Sequence, residues 1–475
     1  MQDYQQFIHQ KSQLGEDHGF DPLWMPDFLY PFQQHLVEWA TRKGRCAIFA
    51  DCGLGKTPMQ LVWAENVCRK TDGRVLILTP LAVAYQTTRE AEKFGIEVVH
   101  RREGIEQPDR IIISNYERLH YFNPEDFAGV VCDESSILKH YTGATQKSVT
   151  RFLSKLPYRL LCTATAAPND YVELGTSSEA LGELTNSDML TRFFKYLDDK
   201  GQKKGYSDQA FAEKAGVYYG KLAFRVAQTI GQWRLKNHAV QSFWRWVASW
   251  ARACRMPSDL GFEDGEFILP KLNDRQHIII PDTPPDGYLF TMPAFGLGEE
   301  REERKRTLQQ RCDFVASLAN HSKPVVIWCH TNAEGDTLEQ LIPGARQVAG
   351  KTPDDEKEEI YRAFSEGALR PLVIKPKIGA WGMNWQNCAH VITFASHSYE
   401  QYYQSVRRCW RFGQKHPVTV DIIATEGEKR VMENMQRKAT QADNMFRVLV
   451  KEMRQSERVK TVNHYTKPEE IPSWL

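Results

Sequence analysis

The sequence predicts an α/β protein of two parallel-sheet lobes with a mainly helical insertion between them. Short continuous apolar runs recur in the first third of the chain and return near residue 325, helical stretches alternate with them, and between about residues 170 and 325 the rhythm stops. Continuous runs without alternation suit strands covered on both faces, which is the condition of a parallel sheet. Alternating strand and helix is the βαβ rhythm of such sheets.

The first lobe is assigned to residues 1–170, with strands expected at 46–50, 75–78, 111–114, 130–132 and 160–162. Helices over 58–69 and 85–94 separate the early strands. The insertion, 171–300, is rich in aromatics and positive charge: from Lys214 through Ser258 there is no acid, while Arg234, Arg245, Arg252 and Arg255 fall inside that window. Within it Phe243, Val247, Trp250 and Cys254 stand at helical spacing, predicting one helix over 243–254. A charged helix over 299–311, read as a solvated face, leads into the second lobe, 301–440. Strands are expected there at 325–329, 372–374, 391–394 and 418–423. The last segment, 441–475, holds an amphipathic stretch over 444–458 that is expected to pack on the second lobe.

At 475 residues the chain is too long for one core. Its 41% hydrophobic and 25% charged residues are ordinary for a globular protein, and a net charge of +1 does not by itself announce a nucleic-acid partner; a local basic surface would be needed. The start, MQDYQQFIHQ, has no basic-then-apolar leader, and no apolar run approaches the roughly 20 residues that span a bilayer. A cytoplasmic protein without membrane contact is expected. The ten cysteines are scattered without a C-x-x-C pair, so they read as reduced core residues and not as a zinc site.

Chemistry concentrates in two places. Ala50-Asp-Cys-Gly-Leu-Gly-Lys-Thr57 follows a strand and opens a helix. Gly53, Leu54 and Gly55 can turn the backbone so that its N–H groups face phosphate oxygens, and the helix adds the positive end of its dipole. Lys56 would bring charge to the β- and γ-phosphates, and Thr57 a hydroxyl ligand for Mg²⁺. Asp133 and Glu134 end the run Val130-Val-Cys132; one suits the Mg²⁺ shell, the other activation of a water. ATP and Mg²⁺ are the cofactors these residues imply.

With these motifs in order, the chain resembles the superfamily-two helicases, closest to the Swi/Snf-type DNA translocases in a minimal form of the kind bacteria and their viruses encode. That resemblance implies RecA-like lobes. It implies that Gln33 reads the adenine edge, and that Thr79, Pro80 and Tyr116 follow a nucleic-acid strand. Thr163 and Thr165 would couple hydrolysis to the nucleic acid, and Gly379, Gly382 and Asn384 would sit close to the tracked strand. In Gln404-Ser-Val-Arg-Arg-Cys-Trp-Arg-Phe-Gly-Gln414, Gln404 would lie beside the nucleotide and Arg408 and Arg411 would act as arginine fingers. The implied activity is ATP-dependent translocation on DNA, duplex first and single strands second. The alternatives are an RNA helicase, or a nucleotide-gated motor subunit of a restriction or replication complex. For the 243–255 stretch two readings stand: a packed core helix, or a basic aromatic surface on DNA.

Overall fold

A computed structural model describes residues 17–106, 108–139, 143–197, 232–281, 297–379 and 383–462. The first lobe opens with α1 (Pro31–Lys43), β1 (Arg45–Ala50), α2 (Lys56–Thr71), β2 (Val75–Thr79), α3 (Leu81–Lys93), β3 (Val99–His100), β4 (Ile111–Asn115) and β5 (Gly129–Asp133). It continues through α4 (Ala144–Leu153), β6 (Tyr158–Cys162), α5 (Leu174–Leu181), α6 (Asn186–Phe193), the antiparallel pair β7 (Phe194–Leu197) and β8 (Gln232–Leu235), α7 (Val240–Trp250) and β9 (Ala251–Cys254). Seven strands form one parallel sheet in the order β3-β4-β2-β5-β6-β1-β9.

The second lobe contains β10 (Leu272–Ile279), α8 (Leu297–Arg306), α9 (Leu308–Leu318), β11 (Val325–Trp328), α10 (Asn332–Leu341), β12 (Arg346–Val348), α11 (Asp354–Ser365), β13 (Pro371–Ile374), β14 (His390–Phe394), α12 (Tyr399–Val406) and β15 (Val418–Thr425). Its parallel sheet runs β10-β15-β14-β11-β13-β12. A helix α13 (Lys429–Val462) follows. The central strands of both sheets are buried on both faces, as their unbroken apolar runs require.

Three expectations change. The helix read over 243–254 stops at Trp250, because Ala251 is extended and Ala251–Cys254 pair with Ala47–Ala50 of β1. Phe243, Trp244, Trp246, Val247 and Trp250 are buried in the first lobe's core, so the described parts of 171–300 are shared between the two sheets. The core reading of this stretch holds for Arg252 too: it is buried, donates to the Ala248 carbonyl at 2.6 Å and lies 4.3 Å over the Trp39 ring. Arg245 is exposed; Lys214 to Arg225 lie outside the described residues.

The charged helix is also no solvated face. Thr307 divides it, Glu300, Glu303 and Arg311 are buried, and Arg304 binds Glu428 at 2.6 Å. Arg311 binds Glu334 at 2.7 Å with both side chains 1% exposed. Third, α13 spans both lobes. Val431, Met432 and Met435 pack into the second lobe's core, but Met445, Phe446, Leu449, Val450 and Met453 belong to the first lobe's core. The amphipathic stretch therefore packs on the lobe opposite to the expected one. All ten cysteines are free and buried. No helix among the described residues is long and apolar enough to cross a membrane.

Candidate active site between the lobes

The strand order places the chemistry. β6 lies between β1 and β5, so the loops after these three strands converge at one sheet edge. β1 ends at Ala50 and the chain turns into α2 through Gly53 (φ 90°) and Gly55 (φ 74°). Side chains are strained at such φ values. Space requires glycine as well, since a Cβ on Gly53 would lie 2.9 Å from the backbone nitrogen of Phe412 in the second lobe.

Lys56, at the start of α2, donates from Nζ to the Ala50 carbonyl at 3.0 Å and the Asp51 carbonyl at 3.3 Å. Asp133 Oδ1 accepts from Gln60 Nε2 at 2.7 Å; Gln60 lies one helical turn beyond Lys56. Burial, above all, raises the Asp133 carboxyl, with Gln60 opposing. Glu134 takes a left-handed φ of 49°, unusual for a residue with a side chain. Burial pushes its carboxyl to about 7; Lys56 opposes this and Asp133 reinforces it. Thr163, at the end of β6, points its hydroxyl at Glu134 Oε2 across 3.4 Å, and the Thr165 N–H donates to Thr163 Oγ1 at 3.0 Å.

A cleft of about 500 Å³ collects these groups. From the first lobe Gln33, Gly53, Gly55, Lys56, Thr57, Asp133 and Glu134 line it; from the second, Asn384, Arg408 and Arg411 do. Arg408 donates to Gln404 Oε1 at 2.9 Å, and Arg411 is hydrogen-bonded to Asn384. Burial, then Arg408, pulls the Arg411 guanidinium down to about 10, so it remains charged at neutral pH. The aromatic rings of Phe28, Tyr30, Phe94, Phe267 and Phe412 wall the same cleft.

Among the other residues singled out in the sequence, Gln33 lines the cleft and the rest stand outside its lining or outside the described residues. Gln33 caps α1 by accepting from the Tyr30 N–H and ties it to the phosphate-type loop by donating to the Leu54 carbonyl at 2.9 Å. Gln404 does not line the cleft; it is buried behind Arg408 and accepts from the Cys52 thiol. Tyr116 is buried and donates to the Asp133 carbonyl at 2.6 Å, which makes it a brace for the acid pair. Gly379 is a packing glycine, with Ile374 occupying the space a Cβ would need. Thr79 is buried at the end of β2 and Pro80 precedes α3. Gly382 lies outside the described residues.

Sequence reasoning passed over Asp51, Gln60, Tyr403 and Arg407. Arg407 pairs with Asp51 across the lobes, and the Tyr403 hydroxyl donates to the same carboxylate. Burial, then Arg411 and Arg408, lowers the Arg407 guanidinium to about 9, which leaves it charged at pH 7. Asp51 stands inside the quoted motif, but its role is not legible there because its partners, Tyr403 and Arg407, come from a distant segment.

The residues fit ATP with Mg²⁺. Thr57 and Asp133 offer the hard oxygen donors that Mg²⁺ takes, and both line the cleft beside Lys56. Residues 306–413 match the family model of the helicase conserved C-terminal domain. The mouse protein described as DNA annealing helicase and endonuclease ZRANB3 is 29% identical over 171 residues, 32% of this chain. The match covers 16% of that relative's length. The solved Sulfolobus solfataricus SWI2/SNF2 ATPase core in complex with dsDNA aligns over 92% of this chain and 98% of its own at 15% identity, with a TM-score of 0.39.

Proposed function

We propose that this chain is a superfamily-two helicase of Swi/Snf-like type, a reading supported by the match of residues 306–413 to the helicase C-terminal domain, and that it hydrolyses ATP to ADP and phosphate in the interlobe cleft and uses the cycle to move along DNA. One observation carries the reading: Lys56, Thr57, Asp133 and Glu134 from one lobe line the same cleft as Arg408 and Arg411 from the other.

In this reading Lys56 leaves the Ala50 and Asp51 carbonyls to hold the β- and γ-phosphates. Thr57 and Asp133 would hold Mg²⁺, which would neutralise phosphate charge. Glu134 orients the attacking water and accepts its proton, with Thr163 steadying its carboxylate and reporting its state toward Thr165. Arg408 and Arg411 supply positive charge from the second lobe, so turnover depends on the two lobes being together. Thr79, Pro80 and Asn384 are proposed to couple this cleft to the nucleic acid.

The test is the ATPase rate without nucleic acid and with duplex DNA, single-stranded DNA or RNA. Duplex DNA should stimulate most. Strongest stimulation by RNA would replace the proposal with an RNA helicase. Nucleotide binding without turnover in every arm would point to a motor subunit inactive alone.

A further inference from the structure

Three adjacent or near-adjacent arginines follow α12, and Arg407 has a different partner from Arg408 and Arg411. Its guanidinium pairs with the Asp51 carboxylate, with the two side chains only 5% and 6% exposed. It also donates to the Trp410 carbonyl at 3.1 Å and lies 4.6 Å over the Trp410 ring, so its position is fixed within the second lobe. Asp51 accepts the Cys52 N–H at 2.6 Å from its own loop, and the Tyr403 hydroxyl from the second lobe. The Asp51 carbonyl is meanwhile one of the two acceptors of Lys56.

We infer that Arg407 is a positioning residue that registers the second lobe on the phosphate-binding loop through Asp51. The inference rests on the proposed ATPase reading. A carboxylate in that loop repels an incoming polyphosphate unless a cation covers it. Arg407 provides that cation only when the lobes are together, so the loop accepts phosphate in the same arrangement that brings Arg408 and Arg411 to the cleft. A buried pair also resists separation, because breaking it while dry strands two charges. Opening therefore requires water at both partners, which makes the contact two-state.

The experiment compares Arg407→Met, Arg407→Lys, Asp51→Asn and the double Asp51→Asn/Arg407→Met, measuring kcat, KM for ATP with saturating duplex DNA, and the melting temperature. Arg407→Met should lower kcat/KM at least tenfold, mainly through KM, because Asp51 is left bare. Arg407→Lys should recover most of the loss. The double variant should be at least fivefold better than Arg407→Met, since neither charge remains. Losses that multiply in the double variant, or that only follow the melting temperature, would overturn the inference.

An activity-free readout separates it from the ATPase reading. Because all ten cysteines are buried, spin labels can be placed at Arg151→Cys and Glu359→Cys, exposed positions on different lobes. Without nucleotide, Arg407→Met should move the interlobe distance distribution to longer values, and Arg407→Lys should not. An unchanged distribution in Arg407→Met contradicts the inference even if ATP is hydrolysed. A wild type that hydrolyses no ATP, but whose distances respond as stated, sinks the ATPase reading and leaves the lobe contact standing. If Arg407→Met does not fold, Asp51→Asn takes its place in the distance measurement: it too should lengthen the interlobe distances, and an unchanged distribution contradicts the inference.

Discussion

Lys56 enters the cleft from the first turn of α2, whereas Glu134 is held there by its unusual backbone and by Thr163. On the proposed reading Lys56→Ala removes a phosphate contact, so it should abolish hydrolysis and weaken ATP binding. Glu134→Gln leaves the loop intact, so it should abolish hydrolysis while ATP still binds. Fluorescent-nucleotide titration checks this, and equal loss of affinity in both would refute the division of roles. A second residue-scale prediction concerns Glu334. Burial raises its carboxyl, but Arg311 outweighs that and leaves it below its usual value. A depressed carboxylate contributes stability above its unfolded pKa, roughly 4.3, and loses it as pH falls through the folded value. Glu334→Gln should therefore cost about 3–5 kcal/mol at neutral pH, by stranding Arg311, with the deficit shrinking below about pH 4. Melting curves of both proteins across pH decide it; a deficit independent of pH would contradict the pair's role. The phosphate-loop glycines, Lys56, the acid pair and two arginines were legible because each motif demands a residue type at a fixed spacing. Asp51 and Arg407 were not, because their meaning arises only when two distant segments meet.

Strands read correctly wherever a run is buried on both faces, as in Ile111–Asn115 or Val325–Trp328. Among the missed ones, β9 is Ala-Arg-Ala-Cys directly after a helix, and the edge strand β10 carries Asn, Asp, Arg, Gln and His. α13 was misplaced because an amphipathic face says that a partner exists and not which one. These placements have consequences. Arg252→Gln should lower the melting temperature, since it removes the cover over Trp39 and the bond to Ala248. It should leave the slope of log K against log salt for DNA unchanged, where a lost phosphate contact would reduce it by roughly 0.9. A shallower slope with unaltered stability would return this segment to the DNA surface. In α13, Leu449 is fully buried in the first lobe's core. Leu449→Ala should cost about 2–5 kcal/mol, read as a lower melting temperature; an unchanged transition would mean the helix end is not docked there.

At the scale of the molecule, two parallel sheets, most of whose strands come from the first and last thirds of the chain, make one cleft between them. That division was legible from periodicity alone. How the middle joins them was not, because the chain contributes β9 to one sheet and β10 to the other within about twenty residues. α13 then returns from the second lobe to the first, so the lobes are linked by a helix as well as by the cleft. The central claim is that neither lobe is an enzyme without the other: the acid pair and Lys56 need charge delivered from the second lobe. The most direct measurement is kcat for Arg411→Ala with saturating ATP and duplex DNA, beside its affinity for nucleotide. An arginine finger is worth on the order of 10³–10⁵ in rate. Turnover should fall by about that factor while nucleotide binding stays near wild type; a variant retaining more than about a tenth of wild-type kcat would contradict the account.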